Sequence, residues 1–212
     1  YTYKQVFDGD IPEQNNVSNN NALPNSAPSA LPNKRVLGKK RLIAKIEPVK
    51  RAVLIGINYI GTDNALNGCI NDVTNMSKLL INQYGFKKNN IRILTDDQSP
   101  NNKPTRKNII DNITTYVNLT KKGDELFIHY SGHGTQVPCR TGGENLNTDT
   151  KGQDDALCPC DFDSYSGDSG FITDDVLKEL LVNKVVKGAK LRAFFDCCHS
   201  GSALDLPFMY KE

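Results

Sequence analysis

Four short apolar runs, separated by longer segments with helical spacing, constrain the fold of this 212-residue chain more than any other feature. The runs cover residues 52–57, 91–94, 125–130 and 191–196. Continuous apolar runs of this length are typical of strands that are buried on both faces of a parallel sheet. Their alternation with helices predicts an α/β domain with a mostly parallel central sheet flanked by helices.

The segments between the runs predict three helices. Val73 and Leu80 lie on one face of the first. Thr105 is expected to cap the second helix and Thr173 the third, because a threonine hydroxyl can accept a backbone N–H of the first turn. Residues 138–170 are rich in Gly, Asp, Asn and Ser, and we expect a long loop there.

Composition divides the chain near residue 48. Residues 13–34 are mostly Asn, Ser, Pro and Ala, which bury too little apolar surface to offset the entropy of ordering. A stretch rich in Lys and Arg follows, at residues 34–41. We therefore expect residues 1–48 to be a flexible Asn/Pro-rich arm with a basic linker, and residues 49–212 to be the folded domain.

The overall charge gives no reason to expect a polyanionic partner. The chain has 26 Lys and Arg against 24 Asp and Glu, a net charge of +2, so we expect neither nucleic acid nor a membrane as partner. A nucleic-acid-binding domain that uses the basic linker is kept as a rival interpretation. No apolar run reaches the roughly 18 residues of a membrane-spanning helix. We expect a cytoplasmic protein, and the nucleus is the other compartment considered.

Two of the predicted strands lead into a histidine and a cysteine. Residues 125–130 are followed by Ser131-Gly132-His133-Gly134, and residues 191–196 by Cys197-Cys198-His199-Ser200-Gly201. The carboxyl ends of parallel strands meet at one edge of a sheet, where ligand chemistry gathers. An imidazole from one strand end can activate a thiol from its neighbour, which is the arrangement of nucleophilic catalysis.

The alternation of side chains along a strand distinguishes only some of the candidate catalytic residues. His129 lies inside its strand and is expected to be packed, whereas His133 lies just beyond the strand end. Cys197 and Cys198 point to opposite sides, so only one of them faces a cleft, and the alternation does not decide which. His199 is too close to Cys198 along the chain to serve easily as its base.

Polar residues near the proposed cleft suit a cation. Asp72, Ser131 and Asp196 would form an acidic pocket that selects Arg or Lys immediately before a scissile bond. Asp72 has a second interpretation as an N-terminal cap of the first helix, and both roles could coexist.

Ordered motifs over residues 50–210 resemble the metacaspases, which are caspase-like cysteine peptidases, and the preceding arm resembles that of the type I group. The matching motifs are Gly56-Ile57-Asn58-Tyr59, Leu66-Asn67-Gly68-Cys69-Ile70-Asn71-Asp72, Leu94-Thr95-Asp96-Asp97, Tyr130-Ser131-Gly132-His133-Gly134 and Asp196-Cys197-Cys198-His199-Ser200-Gly201. The resemblance implies the caspase-like (caspase-haemoglobinase) sandwich. The Q-A-C-x-G pattern of caspases is absent, which argues against cleavage after Asp.

The resemblance also implies roles for individual residues. Cys198 would be the nucleophile and His133 the base, acting through an acyl-enzyme. The residues matched to the pocket lining are Cys69, Asp72, Ser131 and Asp196.

Calcium is the cofactor that the resemblance implies. Its ligands would be four aspartates: Asp154, Asp174, Asp175 and Asp205. Taken alone, such acidic pairs are more often helix caps or solvated loop residues, and no EF-hand spacing is present. Bound calcium would order the loop and assemble the cleft, so that activity depends on calcium.

The family's small subunit should follow the large one, and we expect it as a partner of residues 49–212. A fragment without it is expected to be weakly active at best. Self-processing of a zymogen is expected at basic residues, with Arg35, Lys40, Arg41 and Lys211 as candidates. We expect a monomer that acts on proteins or peptides with basic residues. The alternative is a catalytically inactive caspase-fold scaffold or regulator.

Overall fold

The computed structural model describes residues 47–138, 152–198 and 204, together with the backbone of residues 4–10. Its central sheet has five strands in the order β1, β8, β4, β2, β3. The strands are β1 (Lys4–Asp10), β2 (Lys50–Gly56), β3 (Ile91–Thr95), β4 (Glu125–Ser131) and β8 (Lys190–Asp196). Strands β2, β3, β4 and β8 are parallel, and β1 runs antiparallel to β8. All four apolar runs therefore form strands, as predicted.

A second, antiparallel sheet of three strands follows β4 in the chain. It consists of β5 (Gly134–Pro138), β6 (Gln153–Leu157) and β7 (Ile172–Thr173). We expected a loop over residues 138–170, and this is wrong for β6, because its backbone pairs with β5 and β7. Its side chains at Asp155, Ala156 and Leu157 are buried. The polar composition of this segment hid the strand.

Within the described residues, three helices connect the strands of the central sheet. They are α1 (Cys69–Tyr84), α2 (Arg106–Leu119) and α3 (Asp174–Leu177), and α3 continues as a π-helical turn, Lys178–Val182. Short 3₁₀ turns lie at Lys88–Asn90, Pro100–Asn102, Phe162–Ser164 and Gly167–Gly170. Thr105 and Thr173 accept the N–H of Asn108 and Val176, which confirms both predicted caps. In the part of the chain described, no helix is long and apolar enough to cross a membrane.

Strand β2 is buried on both faces, and this explains its continuous apolar run. Along β2, Val53 and Ile55 belong to the larger core, which includes residues of α2 and α3. Ala52 and Leu54 point to the other face and pack with Val73 and other residues of α1. The result is the α/β architecture predicted for the caspase-like fold.

The first strand of the sheet was not expected. We assigned residues 1–48 to a flexible arm, whereas Lys4–Asp10 pairs with the whole length of β8. An edge strand bonds through its backbone, so a short segment with one apolar pair, Val6-Phe7, gives little signal in the sequence. The rest of the arm and the basic linker, residues 11–46, lie outside the described residues.

Candidate active site

His133 and Cys198 follow two neighbouring strands. Strand β4 ends at Ser131 and β8 at Asp196, and these two residues lie opposite each other in the register. Gly134, directly after His133, packs so closely on the backbone carbonyl of Cys198 that a Cβ there would overlap the carbonyl oxygen. The structure therefore brings the two predicted catalytic segments into contact at the carboxyl edge of the sheet.

The structure distinguishes the two adjacent cysteines. The Cys198 side chain is exposed, whereas Cys197 is only 4% exposed. Burial raises the pKa of the Cys197 thiol to about 12, and the neighbouring Cys158 and Cys198 thiols contribute to the rise. A thiol with this pKa carries almost no thiolate near neutral pH, so Cys198 is the one suited to be a nucleophile.

The backbone of His133 is held from both sides by two buried tyrosines. The His133 N–H donates to the Tyr59 hydroxyl at 3.0 Å, and the Tyr130 hydroxyl donates to the His133 carbonyl at 2.7 Å. The Cys158 N–H also donates to that carbonyl, and the Cys158 carbonyl accepts the Tyr59 hydroxyl at 2.6 Å. Burial raises the pKa of both tyrosines, so they stay protonated donors.

The imidazole of His133 has its own contacts. Its Nε2 lies 2.8 Å from the backbone carbonyl oxygen of Asn64, and the ring lies 4.7 Å from the Tyr59 ring, centroid to centroid. A carbonyl oxygen can only accept, so Nε2 must carry a hydrogen. This leaves Nδ1 as the nitrogen that can exchange a proton with a thiol. His129 is buried in β4, only 1% exposed and tilted against Phe194, which confirms the expectation that it is packed.

The four predicted pocket residues come together on the α1 side of the sheet. Gly56 lies in register with Ser131, which in turn lies in register with Asp196. A Cβ at Gly56 would fall 2.6 Å from the Cys69 carbonyl oxygen, so this face of the sheet carries the start of α1. In-register neighbours present their side chains on the same face, and Ser131 and Asp196 therefore lie beside Cys69.

Asp72 completes this acidic group. The Ser131 hydroxyl donates to Asp72 Oδ2 at 2.9 Å. Gly68 occupies the N-cap position of α1 and no side chain caps the helix, so the alternative role of Asp72 as a cap is not observed. Burial raises the pKa of the Cys69 thiol; a hydrogen bond with Ser131 opposes the rise, and the charge of Asp72 adds to it. Asp72 and Ser131 are thus joined by a hydrogen bond, and Asp196 lies beside Ser131 in the register.

The predicted calcium ligands are only partly within the described residues. Asp174 is buried, and burial raises its pKa to about 7; an N–H of Asp175 opposes this rise, and the charge of Asp154 adds to it. Asp155 donates its backbone N–H to Asp174 Oδ2 at 3.2 Å. Within residues 47–138 and 152–198, no three His, Cys, Asp or Glu side chains are grouped to hold a metal ion. Asp205 lies outside the described residues, as do the processing candidates Arg35, Lys40, Arg41 and Lys211.

Sequence reasoning missed the groups that hold His133. Tyr59 and Tyr130 belong to two of the motifs given above. Nothing in their spacing indicates that both hydroxyls form hydrogen bonds with the backbone of His133. Asn64 contributes only a backbone carbonyl, which leaves no side-chain signal at all.

Comparison with known proteins gives consistent results. A family model described as the metacaspase, peptidase C14 domain matches residues 50–207. Metacaspase-1B of Aspergillus oryzae is 45% identical over 163 residues, which are 76% of this chain and 37% of the relative. Metacaspase-1 of Cryptococcus neoformans is 44% identical over 163 residues, with 76% and 34% coverage. The chain thus spans little more than a third of the length of these relatives.

The fold of this chain is similar to that of a solved structure. A crystal structure of a protein from Geobacter sulfurreducens has a TM-score of 0.54 and 29% identity, covering 71% of this chain and 51% of that one. The family match spans the His133 and Cys198 segments as well as Cys69, Asp72, Ser131 and Asp196. The chain therefore belongs to the metacaspase family, as its resemblance to the type I metacaspases indicated.

Proposed function

We propose that the full-length protein is a calcium-activated cysteine endopeptidase that cleaves after Arg or Lys. The observation that carries the proposal is the position of the Asp72–Ser131–Asp196 group: it lies at the same strand ends that place Cys198 next to the His133 segment. Family membership supports the peptidase class, and the acidic group supports the substrate class.

The mechanism follows from the contacts of the two catalytic residues. The Cys198 Sγ attacks the substrate carbonyl carbon, while His133 accepts the thiol proton at Nδ1 and then donates it to the leaving amine. The resulting acyl-enzyme is hydrolysed by water. The Asn64 carbonyl stabilises the imidazolium that forms, since it accepts the Nε2–H of His133.

Substrate selection rests on charge. Asp72 and Asp196 offer two negative charges, and the Ser131 hydroxyl adds a further polar group. The planar guanidinium of Arg can bond a carboxylate through two parallel N–H groups, and the ammonium of Lys provides a compact charge. An acidic side chain would be repelled from the same place.

Asp72→Asn is expected to lower kcat/KM for a peptide ending in Arg by about 100-fold, because the neutral amide removes one of the two carboxylates that would pair with the desolvated guanidinium. The measurement uses full-length protein and fluorogenic peptides that differ only in the last residue: Arg, Lys, Asp or citrulline. Citrulline has the shape of Arg without its charge, so the variant should change its low rate little. Asp111→Asn, an exposed acid on α2, is the matched control.

Three results would contradict this assignment. Equal loss of activity towards Arg and citrulline peptides would mean that Asp72 does not recognise the positive charge of the Arg side chain. Cleavage after Asp would place a different pocket in the protein. Absence of any cleavage by a folded full-length protein would favour the inactive scaffold.

The donor chemistry near Asp174 fits calcium, because carboxylate oxygens are the ligands that this ion prefers and a buried carboxylate needs a cation or a proton. The residues that would hold it are Asp154, Asp174, Asp175 and Asp205. Bound calcium would supply positive charge that draws these acids together, with Asp154 in β6 and Asp174 and Asp175 at the start of α3.

Asp174→Asn is therefore expected to weaken calcium binding by at least about tenfold, since one charged ligand is lost. Isothermal titration calorimetry measures the binding directly, and peptide cleavage with and without millimolar calcium measures the activation. Asp163→Asn, an exposed acid in the same segment, is the control. Unchanged binding in Asp174→Asn would remove Asp174 from the ligand set.

Self-processing and the small subunit belong to the same proposal. An enzyme that cleaves after basic residues can cut its own chain, and Arg35, Lys40, Arg41 and Lys211 are the candidate positions. The small subunit is the expected partner, and protein or peptide chains with basic residues are the expected substrates of the monomer.

A further inference from the structure

Asp96 binds the loop that contacts His133. It follows β3, and its Oδ1 accepts the Asn58 N–H at 3.0 Å while its Oδ2 accepts the Ile60 N–H at 3.1 Å. Each oxygen of the Asp96 carboxylate thus accepts one hydrogen bond, and the two backbone N–H donors lie on either side of Tyr59. The mechanism given above assigns no role to this residue.

Tyr59, between the two bound N–H groups, has an unusual backbone conformation. Its φ is 50°, and among the described residues no other non-glycine residue has a positive φ. A left-handed residue with a large side chain is strained and persists only where its surroundings enforce it. Alternate N–H groups around such a residue form a concave site for an anion, and the Asp96 carboxylate occupies this site.

The same loop provides two contacts to His133. The Tyr59 hydroxyl accepts the His133 N–H, and the Asn64 carbonyl lies 2.8 Å from Nε2. Leu66 closes the loop by donating its N–H to the Asn58 carbonyl at 2.8 Å. A change at Asn58 or Ile60 is therefore transmitted to both the backbone and the ring of His133.

We propose that Asp96 is a positioning residue for the reaction of Cys198 and His133: its carboxylate holds loop 58–66 in the conformation that places Tyr59 and Asn64 against His133. The proposal rests on the cysteine peptidase function proposed above. It does not depend on Arg or Lys being the preferred residue before the scissile bond.

The charge of Asp96 matters as well as its shape. An asparagine at this position has one oxygen for the two N–H groups, and its own amide hydrogens would face the second N–H. Loop 58–66 would then lose one of its two hydrogen bonds to residue 96. The Asn64 carbonyl would no longer be held against the Nε2 of His133. Since that carbonyl stabilises the imidazolium, the thiolate of Cys198 would form less readily near neutral pH.

Asp96→Asn in the full-length protein tests the proposal, with Asp97→Asn as the matched control. Asp97 is the next residue in the chain, is exposed, and accepts the Thr95 hydroxyl within its own turn. The readout that needs no substrate is the rate at which iodoacetamide alkylates Cys198 between pH 5 and pH 9, quantified by peptide mass spectrometry. Peptide cleavage supplies kcat and KM for each variant.

We expect Asp96→Asn to reduce Cys198 alkylation near neutral pH by about tenfold and to shift the pH profile upward by about one unit, because the imidazolium is less well stabilised. The loss in cleavage should be in kcat, with KM changed less than about twofold. Asp97→Asn should match the unmodified protein. Asp96→Glu keeps the charge and should recover alkylation relative to Asp96→Asn.

Other outcomes would overturn the proposal. An unchanged alkylation profile in Asp96→Asn would show that the loop does not act on the catalytic pair. A rise in KM alone would assign Asp96 to the basic-residue pocket, because its charge also contributes to the raised pKa of Cys69. An unfolded Asp96→Asn beside a folded Asp97→Asn would make the residue structural. If no peptide is cleaved but alkylation responds as expected, the proposed peptidase function fails, whereas the role of Asp96 in positioning His133 for Cys198 stands.

Discussion

Cys198→Ala is expected to reduce peptide cleavage by more than about 1,000-fold, whereas Cys197→Ala should retain most of the activity. Removing a nucleophile abolishes the acyl-enzyme route, and the remaining groups give little rate by themselves. Cys197 is buried with a pKa of about 12 and does not supply a thiolate near neutral pH. Steady-state kinetics of the full-length variants with the Arg peptide checks both expectations.

His133→Ala provides a second test of the same pair. Its loss should be similar in size, and the double variant with Cys198→Ala should lose little more than either single variant, because the two residues act as a unit. Independent, additive losses would contradict the paired mechanism. Full activity of Cys198→Ala with loss in Cys197→Ala would mean that the buried thiol becomes exposed in the working enzyme.

Gly134→Ala is expected to produce the largest combined effect on stability and activity among small substitutions. The added methyl group would overlap the Cys198 carbonyl oxygen and would lie 3.2 Å from the Cys197 Sγ. Because the carbonyl is backbone, the strand ends must separate, at a cost of about 3 kcal/mol in the free energy of unfolding. A displacement of about 1 Å between nucleophile and base would lower kcat by about 100-fold. Chemical denaturation and steady-state kinetics measure the two effects.

Gly167→Ala is the matched control for this substitution. Gly167 has a φ of 57° with no atom within 4 Å of the added Cβ, so the variant tests backbone strain without overlap. We expect a loss of about 1 kcal/mol and unchanged kcat. A Gly134→Ala protein that is as stable and active as Gly167→Ala would show that the two strand ends are farther apart in solution.

The fold was largely predictable because burial on both faces gives strands a clear signal. Residues such as Val53 and Leu54 are apolar on successive positions only when helices cover both sides of the sheet. β1 and β6 lacked this signal: β1 bonds through its backbone at an edge, and β6 contains Asp154 and Asp155. Whether an acidic side chain can lie inside a strand depends on the groups that surround it in the fold. These groups come from parts of the chain that are distant in sequence, so the sequence alone does not reveal them.

The placement of the candidate site residues was predictable where their side chains mark them. His133, Cys198, Asp72, Ser131 and Asp196 have recognisable residue types, and the strand ends bring these segments together. The choice between Cys197 and Cys198 needed the burial of each thiol. The support of His133 could not be predicted, since the Asn64 group is a backbone carbonyl and the Tyr59 hydroxyl comes from a loop that is distant in sequence.

The position of β1 has a consequence for assembly. Strand β8 has β4 on one side and β1 on the other, so its backbone groups are already paired along both edges. A strand contributed by the expected small subunit can extend the sheet beyond β1 or β3, or it can take the place of β1 beside β8. In the last case, the segment that precedes the catalytic domain and the subunit that follows it would be alternative neighbours of the strand that leads to Cys198.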